Sequence, residues 1–474
     1  MSHSSTADPA SPAPEGKVYH ANPKEMRRIL FSSFLGTAVE YYDFILYATA
    51  AGIVFNQVFF ADLDPNVALF VSFGTLAVGY IARPLGAFLF GNLGDKIGRK
   101  AILITTVLAM GIASTLIGLL PTTAQIGIWA PILLVSLRVF QGLAVGGEWG
   151  GAMLLAFENS KKGSRGFASA FAYMGAPAGT ILGTLILSAM STLPKAQFLA
   201  WGWRVPFVFS AVLMMLAIFI RMKVSESRVF TEVSKSSQEA KKRIPIAELF
   251  RHHRKPLLIA MVSGLSGQMA QGLMGAWAIS FAVQQAILAQ TEVLNIKAFG
   301  GLFTVLAIIV ASKLSDKLGR RRILIWGNAG AIVLAFPVMA LLDMGNTVAF
   351  MLAIVLGLSL VQGFTSGPYG AFAGELFPTA VRYSGTSIGY QMASTLGAGF
   401  TPMIATALVI AGGGDLWLVA LLWMSFSTMS LVALLYAKDR SGSDIQNLDA
   451  DMGAAIQAPA NESSRRERNA SLQG

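Results

Sequence analysis

The sequence predicts an all-α membrane protein of twelve transmembrane helices, built as two six-helix bundles with both termini cytoplasmic. Three observations predict it. The 474 residues are 54% hydrophobic and 13% charged, with a mean hydropathy of +0.59, whereas a soluble chain carries roughly 25% charged residues. Apolar runs long enough to cross a hydrocarbon core of ~30 Å recur along the whole chain. A charged loop pattern also occurs twice, once in each half, which marks a duplicated six-helix unit.

Taken in order, residues 1–27 are rich in Ser, Pro and Ala and read as a disordered N-terminal tail without the apolar core of a signal peptide. The first bundle, 28–223, contains apolar runs at 28–55, 68–93, 100–120, 127–155, 166–190 and 203–223. A basic stretch, 224–254, carries Arg228, Lys235, Lys241, Lys242, Arg243, Arg251 and Arg254. It reads as a cytoplasmic linker whose charge suits the anionic heads of nearby lipid. The second bundle, 255–437, runs through 255–286, 294–315, 322–343, 347–375, 382–410 and 415–437. Residues 438–474 are polar again and read as a disordered cytoplasmic tail.

Charge sets the orientation. One set of loops holds Lys96, Arg99 and Lys100, then Lys161, Lys162 and Arg165, then Lys313, Lys317, Arg320, Arg321 and Arg322. The other set holds Asp62, Asp64, Asp343 and Asp415, with only Lys195 and Lys297 on the basic side. The basic set faces the cytoplasm, and an even number of spans then places both termini there. The net charge of +11 is therefore a topology signal and not a nucleic-acid surface. With no cysteine, thiolate metal sites and disulfides are excluded. The four histidines, His3, His20, His252 and His253, stand outside the apolar runs, so no metal site is expected in the membrane.

The repeated pattern is Gly91-Asn-Leu-Gly-Asp95-Lys96-Ile-Gly98-Arg99-Lys100 after the second span and Ser312-Lys-Leu-Ser-Asp316-Lys317-Leu-Gly319-Arg320-Arg321 after the eighth. Glu158 is followed seven residues on by Arg165, and Glu375 seven residues on by Arg382. The loop pattern resembles the signature of the major facilitator superfamily. Three further segments are similar to its metabolite:proton symporters: Glu40-Tyr-Tyr-Asp43-Phe44; Arg138 with Gln141-Gly142 leading to Gly146-Gly147-Glu148-Trp149-Gly150-Gly151; and Glu375-Leu-Phe-Pro378-Thr-Ala-Val-Arg382-Tyr383. Ser312 stands where the second copy of the signature has Gly, and Tyr41 where members often have Trp. The resemblance implies a gate on the cytoplasmic side made by Gly91, Asp95, Gly98, Arg99, Glu158, Arg165, Asp316, Arg320, Glu375 and Arg382. In it Asp95 docks on the start of the eleventh span near Arg382, and Arg99 pairs with Glu158. Gly98 suits a tight turn or a positive φ. The competing reading is that the basic residues only set topology.

The informative charges lie at depth, where each costs about 2.5–3.5 kcal/mol unless paired or wet. Glu40, Asp43, Phe44 and Tyr47 share one face of the first span by helical spacing. Asp43 and, on the antiparallel fourth span, Arg138 lie near the bilayer middle, with Gln141 and Glu148 continuing the face of Arg138 and Arg83 buried in the second span. Either these groups fix helix packing as ion pairs, or they work in transport. On the transport reading, Asp43, Arg138 and Glu40 couple the proton. Desolvation favours a neutral Asp43 and a nearby guanidinium a charged one, so protonation frees Arg138 to grip an anionic substrate. Arg83, Arg138, Gln141, Tyr47, Glu148, Gln268, Gln271 and Gln391 are the substrate-binding candidates, the glutamines being equally suited to interhelical bonds.

The sequence therefore reads as a proton-coupled symporter, not an enzyme, importing a small organic acid by alternating access in the cytoplasmic membrane of a bacterium. It is expected to act as a monomer with no cofactor beyond the proton gradient, and with protons, a small carboxylate and lipid as its partners. Drug or metabolite export, uptake of a zwitterionic osmolyte such as betaine or proline, and a transporter-derived sensor remain the alternatives. The last would need a partner-binding cytoplasmic domain.

Overall fold

The computed structural model describes residues 23–441 apart from 98, 147, 149, 151–152, 155, 158–159, 162, 223–244 and 286. Ten described helices are long and apolar enough to cross a membrane: α1 Met26–Val58, α2 Pro65–Phe90, α5 Arg165–Met190, α6 Lys195–Ile220, α7 Arg254–Gln284, α8 Gln290–Leu318, α9 Arg320–Asp343, α10 Thr347–Glu375, α11 Val381–Ala411 and α12 Trp417–Tyr436. Two shorter apolar helices, α3 Ile104–Leu119 and α4 Trp129–Val145, complete a series of twelve. Among the described residues of the linker, Pro245–His252 is a short helix whose Leu249 is buried in the same apolar cluster as Phe377 and Val381.

Packing repeats with the sequence. In the first half α1 packs on α5, α2 on α4 and α3 on α6; in the second, α7 packs on α11, α8 on α10 and α9 on α12. The halves then meet through α5 against α8 and α2 against α11, the pairings that a two-fold relation between the copies requires. Burial follows polarity. The most apolar stretches of α6 and α12 are only 33% buried, whereas those of α1 and α7 are 67% and 72% buried although far less hydrophobic. Helices that face lipid need apolar side chains all round, and helices at the centre are free to carry polar ones. Wide π-type turns interrupt α1 at Ala51–Phe55, α7 at Leu273–Trp277, α10 at Ile354–Val361 and α11 at Thr395–Gly399. Such turns re-aim the side chains that follow them and collect near functional sites.

Two expectations change. The fourth span is not one unbroken helix: its regular part ends at Val145, Gly146 and Glu148 lie in a turn, and helix resumes at Gly150, Met153, Leu154, Ala156 and Phe157. Lys297, counted among the loop charges, lies inside α8 and is fully buried. The helix begins at Gln290 because Ala289 is extended and frees the first turn, which draws Lys297 two turns inward.

Close approach of α2 and α4 needs glycine. A Cβ on Gly142 would sit 2.1 Å from the Gly79 carbonyl oxygen. Gly142→Val therefore forces the helices apart and lowers stability by about 1–3 kcal/mol, as overpacking does. A drop in the thermal unfolding midpoint in detergent checks this, with Gly330→Ala in α9, whose added methyl meets nothing within 4 Å, giving no drop, since Ala suits a helix interior better than Gly.

Candidate transport site

Glu40, Asp43, Phe44 and Tyr47 are all buried on one face of α1. Asp43 accepts a hydrogen bond from the Ser210 hydroxyl of α6, and the Ser114 hydroxyl of α3 faces it as well. Arg138, with none of its surface exposed, donates from Nη1 to Gln141 Oε1 at 2.5 Å. Gln141 Nε2 in turn donates to Ser114 Oγ at 2.7 Å. A polar chain thus runs Arg138–Gln141–Ser114–Asp43–Ser210 through α4, α3, α1 and α6. The direct ion pair expected between Asp43 and Arg138 is replaced in this state by that relay. The cause is spacing: Gln141 lies one turn from Arg138 on the same helix and takes its proton first.

The guanidiniums stack on rings. Arg138 Cζ lies 4.3 Å from the Phe44 centroid and 4.1 Å from that of Tyr47; Arg83 Cζ lies 3.5 Å from Phe44 and 4.0 Å from Tyr80. Phe44 therefore touches both cations, an arrangement that partly replaces their lost hydration. Arg83 Nη1 also reaches Ser394 Oγ of α11 at 3.3 Å, so it stands at the seam between the halves. Arg83 Nε, Arg138 Nε and Arg138 Nη2 are buried without a hydrogen-bond acceptor among the described residues. Unspent donors on buried guanidiniums suit a carboxylate.

Beside them lies a tyrosine cluster drawn from both halves. The Tyr41 and Tyr390 hydroxyls are 2.5 Å apart, Tyr41 meets the edge of Tyr173 at 6.4 Å, and Tyr369 lies 6.3 Å from Tyr390. Glu40 is within electrostatic reach of Tyr41 and Tyr390. Gln268 lies against Tyr390, while Gln362 Nε2 donates to Gln271 Oε1 at 3.3 Å. Gln268 and Gln271 thus join the centre. Gln391 is buried next to Tyr390 with its Oε1 unbonded among the described residues. Glu148 is also buried, in the turn that follows Val145.

Sequence reasoning missed Ser114, Ser210 and Tyr173. A serine in an apolar helix ordinarily bonds its own backbone, so nothing in the sequence set these two apart.

At the basic end, Asp316 closes α8 onto α5. Its Oδ1 accepts from the Gly166 N–H at 2.9 Å and its Oδ2 from the Phe167 N–H at 3.0 Å. A carboxylate on first-turn N–H groups is favoured by hydrogen bonding and by the helix dipole. Arg320 Nη2 holds Asp316 Oδ1 at 2.8 Å, and its Nε lies 3.3 Å from Glu375 Oε1. Gly319 between them adopts φ +97°, a conformation that L side chains rarely take. Arg382 Nε donates to the Gly374 and Phe377 carbonyls at 3.0 and 3.1 Å, and the Arg165 guanidinium stands over Phe157 at 5.6 Å. The side chains of Gly91, Asp95, Gly98, Arg99 and Glu158 lie outside the described residues, and with them the expected Asp95 docking and Arg99–Glu158 pair. Their repeat counterparts, Asp316 on α5 and Arg320 beside Glu375, are both present.

The opposite end is bonded too: Ser280 Oγ and Gln284 Nε2 donate to the Gly52 carbonyl at 2.8 and 3.1 Å, and Gln290 Nε2 to Ser191 Oγ at 2.9 Å. The halves are joined at both ends with the buried site between them.

Comparisons place this geometry. Residues 33–402 match the family model described as Major Facilitator Superfamily. The Escherichia coli shikimate transporter is 38% identical over 414 residues, covering 87% of this chain and 94% of the relative. The E. coli inner membrane metabolite transport protein YhjE is 40% identical over 415 residues, covering 86% and 93%. The Salmonella typhimurium proline/betaine transporter is 30% identical over 440 residues, covering 90% and 86%. Among solved structures, the D-xylose–proton symporter superposes with a TM-score of 0.68 at 18% identity, covering 88% of this chain and 99% of that one; at that identity the likeness is one of fold.

Asp316→Ala removes both charge-assisted bonds to α5, each worth ~1.5–3 kcal/mol, and should raise opening at the basic end roughly tenfold or more. The chain has no cysteine, so Ser387→Cys, which faces Gly150 across the seam, gives a single reporter. Its rate of thiol labelling from the basic side should rise in the Asp316→Ala background.

Proposed function

The chain belongs to the major facilitator superfamily and is a multi-pass membrane transporter, not an enzyme; from that premise we propose that it is a proton-coupled symporter importing a small organic acid across the bacterial cytoplasmic membrane. The observation that carries the reading is the relay from Asp43 through Ser114 and Gln141 to Arg138. It couples one buried acid to one buried guanidinium that still has donors to spend. When Asp43 is protonated, its pull on Ser114 falls, Gln141 is released, and Arg138 turns its donors to a substrate carboxylate. When substrate leaves, Arg138 recovers Gln141 and the proton departs. Glu40, next to the tyrosines, is the second acid of the scheme. The gradient supplies ~1.4 kcal/mol per pH unit and ~2.3 kcal/mol per 100 mV for each proton moved, enough for a several-hundredfold accumulation at ordinary gradients.

Arg83 and Arg138 favour a carboxylate, and the similarity to a shikimate transporter supports a hydroxylated organic acid. The tyrosine cluster supports a second reading, a zwitterion whose ammonium lies over the rings and whose carboxylate meets the arginines, in line with the proline/betaine relatives. Uptake of shikimate and glycine betaine into proteoliposomes with an imposed pH gradient separates the two.

Asp43→Asn should abolish uphill uptake while exchange of preloaded substrate persists. Equal loss of both activities would remove Asp43 from the coupling role. Arg138→Lys, which keeps the charge but not the planar fork, should raise KM more than it lowers the maximal rate, read from initial rates of uptake.

A further inference from the structure

Lys297 is a buried charge that the coupling scheme leaves unused. It stands seven residues beyond Gln290 in α8, about 10 Å along the helix axis, with none of its surface exposed. Its Nζ donates to Thr49 Oγ1 of α1 at 2.7 Å, across the seam between the halves. That hydroxyl gives its own proton to the Ile45 carbonyl at 2.7 Å, so it meets the lysine as a neutral acceptor. An ammonium has three N–H donors. Among the described residues no carboxylate comes within the 4.0 Å of an ion pair. A cation held at this depth by one neutral oxygen is poorly compensated, and an anion is what would complete it.

Outward of this contact the halves border a partly open cavity of about 350 Å³, lined in part by the polar side chains of Asn56, Gln57, Lys195, Gln284 and Gln290. That volume lies within the usual range of small-ligand pockets, ~300–1,000 Å³. Its α8 wall continues the helix face that bears Lys297. Gln290 lies seven residues before Lys297 in the regular helix α8, a spacing of two turns on one face. Amides that donate and accept suit hydroxyl groups, and the Lys297 ammonium at the inner end, with Lys195 on the wall, suits a carboxylate.

We infer that Lys297 is an anion-binding residue at the inner end of an outer entry site, where the carboxylate of an arriving solute replaces the Thr49 hydroxyl as its partner. The inference rests on the reading of the chain as a carrier of small organic acids and adds a recognition charge on the second half, apart from Arg83 and Arg138 on the first. Breaking the Thr49 contact also frees the outer part of α1, six residues beyond Asp43, so arrival of the solute loosens the seam that must open.

The test uses the purified full chain with shikimate, its methyl ester and glycine betaine as probes, read as the shift of the thermal unfolding midpoint over a titration. Whichever of shikimate and glycine betaine stabilises the unaltered chain should also stabilise Lys297→Arg. Lys297→Met should need roughly tenfold or more of it for the same shift, the loss expected of one charge-assisted bond, and the ester should give none. A response of Lys297→Met equal to that of the unaltered chain, or an ester as effective as the acid, overturns the assignment. If no probe stabilises the unaltered chain, the organic-acid reading is what fails, and Lys297 is judged by labelling. In the cysteine-free chain, Lys297→Cys should react with membrane-impermeant 2-sulfonatoethyl methanethiosulfonate added from the outer side; failure to react overturns the entry site.

Discussion

The structure depends on how charge is kept out of lipid. Asp43, Arg83, Arg138 and Lys297 lie in the interior with almost no exposed surface, and none of these takes part in an ion pair among the described residues. Each is instead met by something neutral: serine hydroxyls at Asp43, aromatic faces and a glutamine at the arginines, a threonine at Lys297. Neutral partners are weaker than opposite charges, and they are exchangeable. An interior ion pair would be costly to break once formed, whereas a guanidinium resting on a ring can turn toward a solute at modest cost. The central helices pay for this polarity by hiding from lipid, and the outer helices α6 and α12 carry the apolar surface that permits it.

The two ends of the molecule are shut by different chemistry. The basic end uses a carboxylate on backbone N–H groups, braced by Arg320 and Glu375. The other end uses hydroxyls and amides on the Gly52 carbonyl and on Ser191. Charge-assisted bonds are roughly twice as strong as neutral ones, so the two closures are unequal, and a carrier that must open each side in turn can be biased by that inequality. The repeat supplies the basic-end parts in duplicate, since Asp316, Gly319 and Arg320 occupy the places that Asp95, Gly98 and Arg99 hold in the first copy.

Much of this was legible from residues alone, for physical reasons. Hydropathy located the spans because lipid leaves no choice of side chain on an exposed helix face. The loop motif pointed to the basic end because its Asp, Gly and Arg are costly near a membrane unless used. Asp43, Arg83 and Arg138 declared themselves by depth. The partners did not. Ser114 and Ser210 are ordinary in apolar helices, so the relay between Asp43 and Arg138 had no signature and a direct pair was the natural expectation. Lys297 was misplaced because Asn295 and Glu292 precede it, so the polar approach to α8 looked like loop. The helix in fact starts earlier, and the polar residues line the seam with the first half. Tyr173 carried no pattern at all; only the meeting of α1, α5, α10 and α11 gives it a role.

The grip of Asp316 on α5 has a consequence for how the chain can drift over evolutionary time. Its partners at Gly166 and Phe167 are main-chain groups, which every residue but proline supplies. The side chain at 167 can therefore wander through the alphabet without touching the fastening, while position 166, where a Cβ would come within 2.8 Å of the Asp316 carboxylate, cannot. Variation tolerated at one residue and forbidden at its neighbour is the hereditary trace that such a fastening should leave among descendants of this gene.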